Sequence, residues 1–136
     1  MTNPWSLSLF VGLGGFVGSV ARYSLNIFAQ RYAMNWPLGT MAANVLGCLA
    51  LGMIMELTSR GVHMSPELRL ALAAGFCGGF TTMSSMIYET ATMLRAGDYL
   101  HAALYTAGTF LFSMTAFVVG LMVARFLVKI SPGFGN

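Results

Sequence analysis

The stretch that decides the fold is Gly75-Phe76-Cys77-Gly78-Gly79-Phe80-Thr81-Thr82. It sits inside an apolar run from about Leu68 to Leu94. Two glycines followed by two β-branched residues make a poor helix. The run around them still demands one, because about 20 apolar residues in helical form cross the hydrocarbon core of a bilayer. Both demands are met if the helix is broken at Gly78-Gly79, at membrane depth. Backbone groups freed there cannot face lipid; they must face protein, water or an ion. Broken membrane helices mark ion sites for that reason.

Working outward, three more apolar runs extend from about Leu7 to Phe28, Leu38 to Leu57 and Tyr99 to Val128. Four spans therefore fill nearly all of the 136 residues, which read as a single transmembrane channel domain, 1–136. Charged residues make up 8% of the chain, against about 25% in soluble domains. So few charges cannot cover a water-soluble surface. The fold class is an all-α membrane protein of four transmembrane helices, with the third broken. A cleaved signal peptide is not expected: no basic segment precedes Leu7, and the first apolar run is too long.

The connections carry the expected breakers. Asn35, Trp36 and Pro37 separate the first two spans, Gly97 and Asp98 turn the chain between the last two, and Pro132, Gly133 and Gly135 end it. Ser65 is a helix cap and Pro66 fits the first turn of the third span. Trp5 and Trp36 lie at span ends, where indoles favour the membrane interface. Gly14 and Gly18 in the first span, and Gly39, Ala43 and Gly47 in the second, are rows of small residues that let helix backbones approach.

The net charge of +3 comes from scattered residues and forms no stripe that would bind nucleic acid. Arg60, Arg69, Arg125 and Lys129 fall on one side of the membrane; Arg31 and Arg95, plus Arg22 if it snorkels, fall on the other. A four-to-three balance sets no clear orientation under the positive-inside rule, so insertion in both orientations is permitted. Cys48 and Cys77 have no CxxC partner, which supports neither a disulfide framework nor a zinc site.

Polar residues recur at helical spacing inside the spans. Thr40, Asn44 and Cys48 share one face of the second span; Tyr105, Thr109 and Ser113 share one face of the fourth. Ser84 and Ser85 follow the break. These groups can line a narrow polar path, although serine and threonine in membrane helices often bond their own backbone instead. Asn44 differs, because its amide has up to four hydrogen bonds to satisfy. Arg22 and Glu89 lie one to two turns inside the same membrane face, as an ion pair or as functional charges. No nucleophile–base pair or metal-ligand spacing is present. Hydroxyl and amide donors without a ring of carboxylates lean towards an anion.

At three segments the chain resembles the Fluc (CrcB) family of fluoride channels. They are Gly14-Gly15-Phe16-Val17-Gly18-Ser19-Val20-Ala21-Arg22-Tyr23, Gly39-Thr40-Met41-Ala42-Ala43-Asn44-Val45-Leu46-Gly47, and the third-span stretch extended through Met83-Ser84-Ser85-Met86. The resemblance implies an antiparallel, dual-topology homodimer in a bacterial-type plasma (inner) membrane. It implies a structural sodium ion on the two-fold axis, held by the backbone carbonyls of Gly78 and Thr81. It implies two fluoride pores, with Asn44 as pore asparagine, Ser84, Ser85, Tyr105 and Ser113 along the path, and Arg22 near the vestibule. One departure matters: the family places Phe where this chain has Met83 and Met86. Aromatic ring edges are positively polarised, whereas a thioether is a weak acceptor. That departure implies slower conduction, altered selectivity or a heteromeric partner subunit. The competing readings are therefore a weakly conducting or non-conducting subunit of the same fold, and a small dual-topology multidrug transporter. The first span lacks the carboxylate that such a transporter uses to bind a cation.

Overall fold

The computed structural model describes residues 4–32 and 36–130. Asn35, expected to break the chain, and Pro132, Gly133 and Gly135, expected to end it, lie outside those residues. Among the described residues the chain is all helical. Helix α1 spans Pro4–Gln30 and α2 spans Leu38–Ser59. The third crossing begins as α3, Pro66–Leu70, widens into a π-helical stretch, Ala71–Cys77, and tightens again as α4, Gly78–Phe80. Helix α5, Met83–Arg95, completes that crossing, and α6 spans Tyr99–Ile130. Four helical segments are long and apolar enough to cross a membrane: Trp5–Gln30, Leu38–Ser59, Pro66–Arg95 and Tyr99–Ile130.

The ends are set by capping. Ser65 Oγ accepts from Leu68 N at 3.2 Å, with Pro66 opening α3. Asp98 Oδ1 accepts from His101 N at 3.3 Å at the start of α6. Gly97 adopts φ +78° in the tight turn before it, a conformation that glycine reaches without strain.

Little of each span is buried within the chain, and large apolar side chains such as Phe16, Phe112 and Phe126 point outward. In water that surface would aggregate; in a bilayer it is solvated by lipid. The core is mostly small side chains: Ala43, Ala102 and Ala124 are almost fully buried, with the larger Tyr105 among them. Helices without a hydrophobic driving force between them pack by backbone approach. The Gly14 and Gly18 row does this on the third crossing. A methyl group at Gly14 would fall on the Ala71 carbonyl oxygen, and one at Gly18 on that of Phe76. A second seam, unread in the sequence, joins α2 to α6: Gly52 faces the Phe117 carbonyl and Gly120 faces that of Leu49.

The third crossing is interrupted, but not at Gly78-Gly79. Gly78 is helical, at φ −63° and ψ −38°, and α4 continues through Phe80. The break falls at Thr81 (φ −84°, ψ 156°) and Thr82 (φ −155°, ψ 119°). Packing explains the shift. Gly79 lies against the Gly15 backbone, where a side chain would clash with Gly15 Cα at 3.0 Å. This close approach to α1 offsets the roughly 1 kcal/mol by which glycine disfavours a helix. Thr82, by contrast, gains by leaving the helix, because its hydroxyl caps α5 by accepting from Ser85 N at 3.2 Å.

Candidate ion pathway at the broken helix

Asn44 of α2 holds the break. Its Oδ1 accepts from Thr82 N at 2.6 Å and its Nδ2 donates to Thr82 O at 3.0 Å. The amide oxygen thus replaces the helical acceptor that the Thr82 N–H has lost, and the amide nitrogen adds a donor to the Thr82 carbonyl. Of the amide's two N–H donors, one remains for anything else. The rearrangement has a second effect. Thr82 N would pair with the Gly78 carbonyl in a continuous helix, and Ser85 N with that of Thr81. Both donors are turned elsewhere, which releases the Gly78 and Thr81 carbonyls from α-helical pairing. One of the two carbonyls between them is treated differently: Gly79 O accepts from Arg22 Nε at 3.1 Å and from Ser19 Oγ at 3.4 Å.

Beside the break lies a cavity of about 190 Å³, lined by α2, the break, α5 and α6. Asn44, Met83, Met86, Thr109 and Ser113 are on its wall, together with Cys48, Thr81, Thr82 and Phe110. Of the residues singled out in the sequence, it gathers those from three separate spans. Thr82 and Phe110 were not singled out. Thr82 carried a signal, since threonine favours the N-cap and a serine follows three residues later.

The hydroxyls differ in how they are committed. Ser24, Thr58, Thr90, Thr92 and Thr115 donate to carbonyls of their own helix three or four residues back. Thr109 and Ser113 do not. Their oxygens are buried and complete no hydrogen bond, although the Tyr105 hydroxyl and the Cys48 thiol lie close by. Buried polar groups are nearly always paired, so two unpaired hydroxyls one turn apart on a cavity wall are sites for something to accept from or donate to. Ser84 and Ser85 cluster with Thr82, each hydroxyl 3.1 Å from Thr82 Oγ1.

One turn away along α2 and α6, Thr40 Oγ1 donates to Glu89 Oε1 at 2.7 Å and the Tyr105 hydroxyl donates to Glu89 Oε2 at 2.5 Å. Thr40 and Tyr105 therefore belong to a carboxylate cluster next to the cavity rather than to its wall. Glu89 and Arg22 are not paired with each other: Glu89 takes two hydroxyls and Arg22 takes the Gly79 carbonyl. Further along α2, Glu56 pairs with Arg60 Nε at 2.9 Å and Arg125 Nε at 2.7 Å, an arrangement no sequence spacing suggested for Arg125. Outside the spans, the Asp98 carboxyl is held below its ordinary pKa by its hydrogen bond with His101. Among the described residues, no three His, Cys, Asp or Glu side chains come together as a metal site.

These features define a class: a multi-pass helical membrane protein with a largely apolar cavity at a broken helix, two hydroxyls of which are unsatisfied. The family description "CrcB-like protein, Camphor Resistance (CrcB)" matches residues 9–121, and the chain belongs to that family. A relative from Prosthecochloris aestuarii named "Fluoride-specific ion channel FluC" is 43% identical over 92% of this chain and 98% of its own length. Proteins of the same name from Chlorobaculum tepidum, 43% identical over 86% of this chain and 93% of theirs, and from Chloroflexus aurantiacus, 36% identical over 86% and 94%, are also similar.

Proposed function

We propose that the chain is a passive fluoride channel of the bacterial plasma membrane, and that fluoride passes through the cavity at the break. The observation that carries this reading is the pair of buried, unpaired hydroxyls of Thr109 and Ser113 on the cavity wall. A dehydrating anion needs O–H and N–H donors that are not already committed. The remaining Asn44 N–H adds a third donor, and the start of α5 contributes the positive end of a helix dipole. Ser84 and Ser85 continue the polar path, with the Glu89, Tyr105 and Thr40 cluster at its next turn and Arg22 attracting anions from nearby. The names of the relatives support fluoride as the ion.

The functional unit in this reading is an antiparallel homodimer with two pores. Its support is the balanced distribution of basic residues and the broad apolar surface each chain leaves outside its own core. A sodium ion at the two-fold axis fits the donor set. The Gly78 and Thr81 carbonyls are released from helical pairing, and four such oxygens from two chains suit a hard cation, which prefers oxygen ligands. Bound there, sodium would tie the two breaks together by electrostatic attraction to four carbonyl dipoles.

Met83 and Met86 favour a second reading, a subunit of the same fold that conducts weakly or only with a heteromeric partner. Fluoride efflux from liposomes containing this protein alone, with chloride as control, decides between them. Rapid fluoride-selective efflux is expected; no efflux above protein-free liposomes overturns the channel reading and favours the second. Phe at positions 83 and 86 then tests the departure: faster efflux marks the methionines as a weaker solution, and slower efflux marks a cavity packed around flexible thioethers.

A further inference from the structure

Sulfur is concentrated at the cavity. Cys48, Met83 and Met86 all line it, and they reach it from two helices. Met83 and Met86 stand three residues apart on α5, so they share a face. Cys48 lies one turn beyond Asn44 on α2, and Asn44 is bonded to Thr82, the residue before Met83. Taken as a sphere, a cavity of 190 Å³ is about 7 Å across; two metal–sulfur bonds in line span roughly 4.6 Å. Methionine has three rotatable bonds and fits itself to irregular space, so the thioethers can close the difference. Met83 is free to do so, being 68% exposed.

The chemistry of the wall selects the ion. It carries no carboxylate and no imidazole, which disfavours hard divalent cations. One thiolate and two thioethers are soft ligands that favour copper(I)-type ions. Charge selects further. A lone thiolate balances one positive charge, and an uncompensated charge against a largely apolar wall is costly. A monovalent ion leaves the site neutral, whereas a divalent one does not.

From these observations we propose that the cavity is a binding site for a soft monovalent cation, silver(I) or copper(I), held by the Cys48 thiolate and the Met83 and Met86 thioethers. Binding is an exchange: the Cys48 S–H bond breaks, a sulfur–metal bond forms, and one proton leaves to solvent with no change of oxidation state. Affinity therefore rises with pH while the free thiol is protonated. The bound ion fills the cavity and stops anion passage, a consequence that rests on the channel reading above; the binding itself does not.

Equilibrium dialysis of the purified full-length protein against silver nitrate, with free methionine present to mask exposed thioethers, tests the site. About one silver ion per chain is expected. Cys48→Ser should weaken binding at least tenfold, and Met83→Leu with Met86→Leu at least threefold. Cys77→Ser, off the cavity wall, should leave it within twofold. Unchanged binding in Cys48→Ser overturns the site, and so does unchanged binding in the double leucine variant, which reduces it to an ordinary mercaptide. The leucine variants change partly exposed side chains, so they remain informative if Cys48→Ser fails to fold. In liposomes with nitrate salts, silver should slow fluoride efflux at least tenfold in the parent and less than twofold in Cys48→Ser, each against its own silver-free rate. Silver bound without any effect on efflux overturns the closure, whereas no efflux even without silver overturns the channel reading and leaves the binding result standing.

Discussion

Helices α2 and α6 run side by side, yet the two halves of their contact are built in opposite ways. Towards the C-terminal ends, Gly52 and Gly120 bring each backbone onto the other's carbonyls, and Glu56 takes Arg125 at 2.7 Å. A methyl group at either glycine would meet the opposite backbone. Towards the break, Asn44 and Cys48 on α2 and Thr109 and Ser113 on α6 stand around a cavity, two of their hydroxyls unpaired. A membrane bundle with unpaired polar groups would ordinarily close on itself to satisfy them. The closed half fixes the separation of the helices, and the clamp from Asn44 to Thr82 props the broken helix against the open half. The cavity is thus held open by packing elsewhere in the same helix pair.

The largest effect is expected from removing the prop. Asn44→Ala deprives Thr82 of both hydrogen bonds and removes a donor from the cavity. Fluoride efflux should fall at least a hundredfold, in line with about 3 kcal/mol for lost buried donors and an unsatisfied backbone. Efflux near the parent rate would place the pathway outside this cavity.

Damage to the closed half should act through stability. Gly52→Leu forces a side chain onto the Phe117 carbonyl, an overpacking that costs about 1–3 kcal/mol. Its thermal midpoint in detergent should fall by several degrees, and efflux should fall with it. A variant with parent stability would mean that the glycine seam does not hold the pair.

The hydroxyls sharpen the comparison further. Thr109→Val removes a group that bonds nothing in the chain, so stability should be unchanged or slightly raised while efflux falls about tenfold, or roughly 1.4 kcal/mol in the barrier. Thr90→Val removes hydroxyl bonds to Met86 O at 2.8 Å and to Thr106 Oγ1 at 2.9 Å. It should do the reverse, costing about 1 kcal/mol of stability with efflux within twofold. Identical behaviour of the two valine variants would erase the distinction between committed and uncommitted hydroxyls. The smallest effect belongs to Arg125→Gln. Glu56 keeps Arg60 at 2.9 Å, so the thermal midpoint should drop less than in Gly52→Leu, with no change in ion selectivity.

Several features were determined by the sequence alone, because they rest on local chemistry. Apolar length required four spans, since runs of about 20 apolar residues match the bilayer as helices, which satisfy their own backbones. Ser65 and Pro66 marked a helix start, Gly97 a turn, and a run of poor helix formers an interruption. Spacing of four residues put Asn44 with Cys48, and Thr109 with Ser113, on shared faces. The tertiary structure decided what depends on neighbours distant in the chain. The break settled at Thr81–Thr82 instead of Gly78-Gly79, because contact with α1 rewards a helical Gly79 while Asn44 rewards an extended Thr82. Neither partner is visible in a local window. The same holds for Arg125 on Glu56, for Arg22 on the Gly79 carbonyl, and for which hydroxyls bond their own helix, which reach across to another, and which two stay unpaired. Periodicity assigns a residue to a face, but which group stands opposite that face is set by how the helices pack.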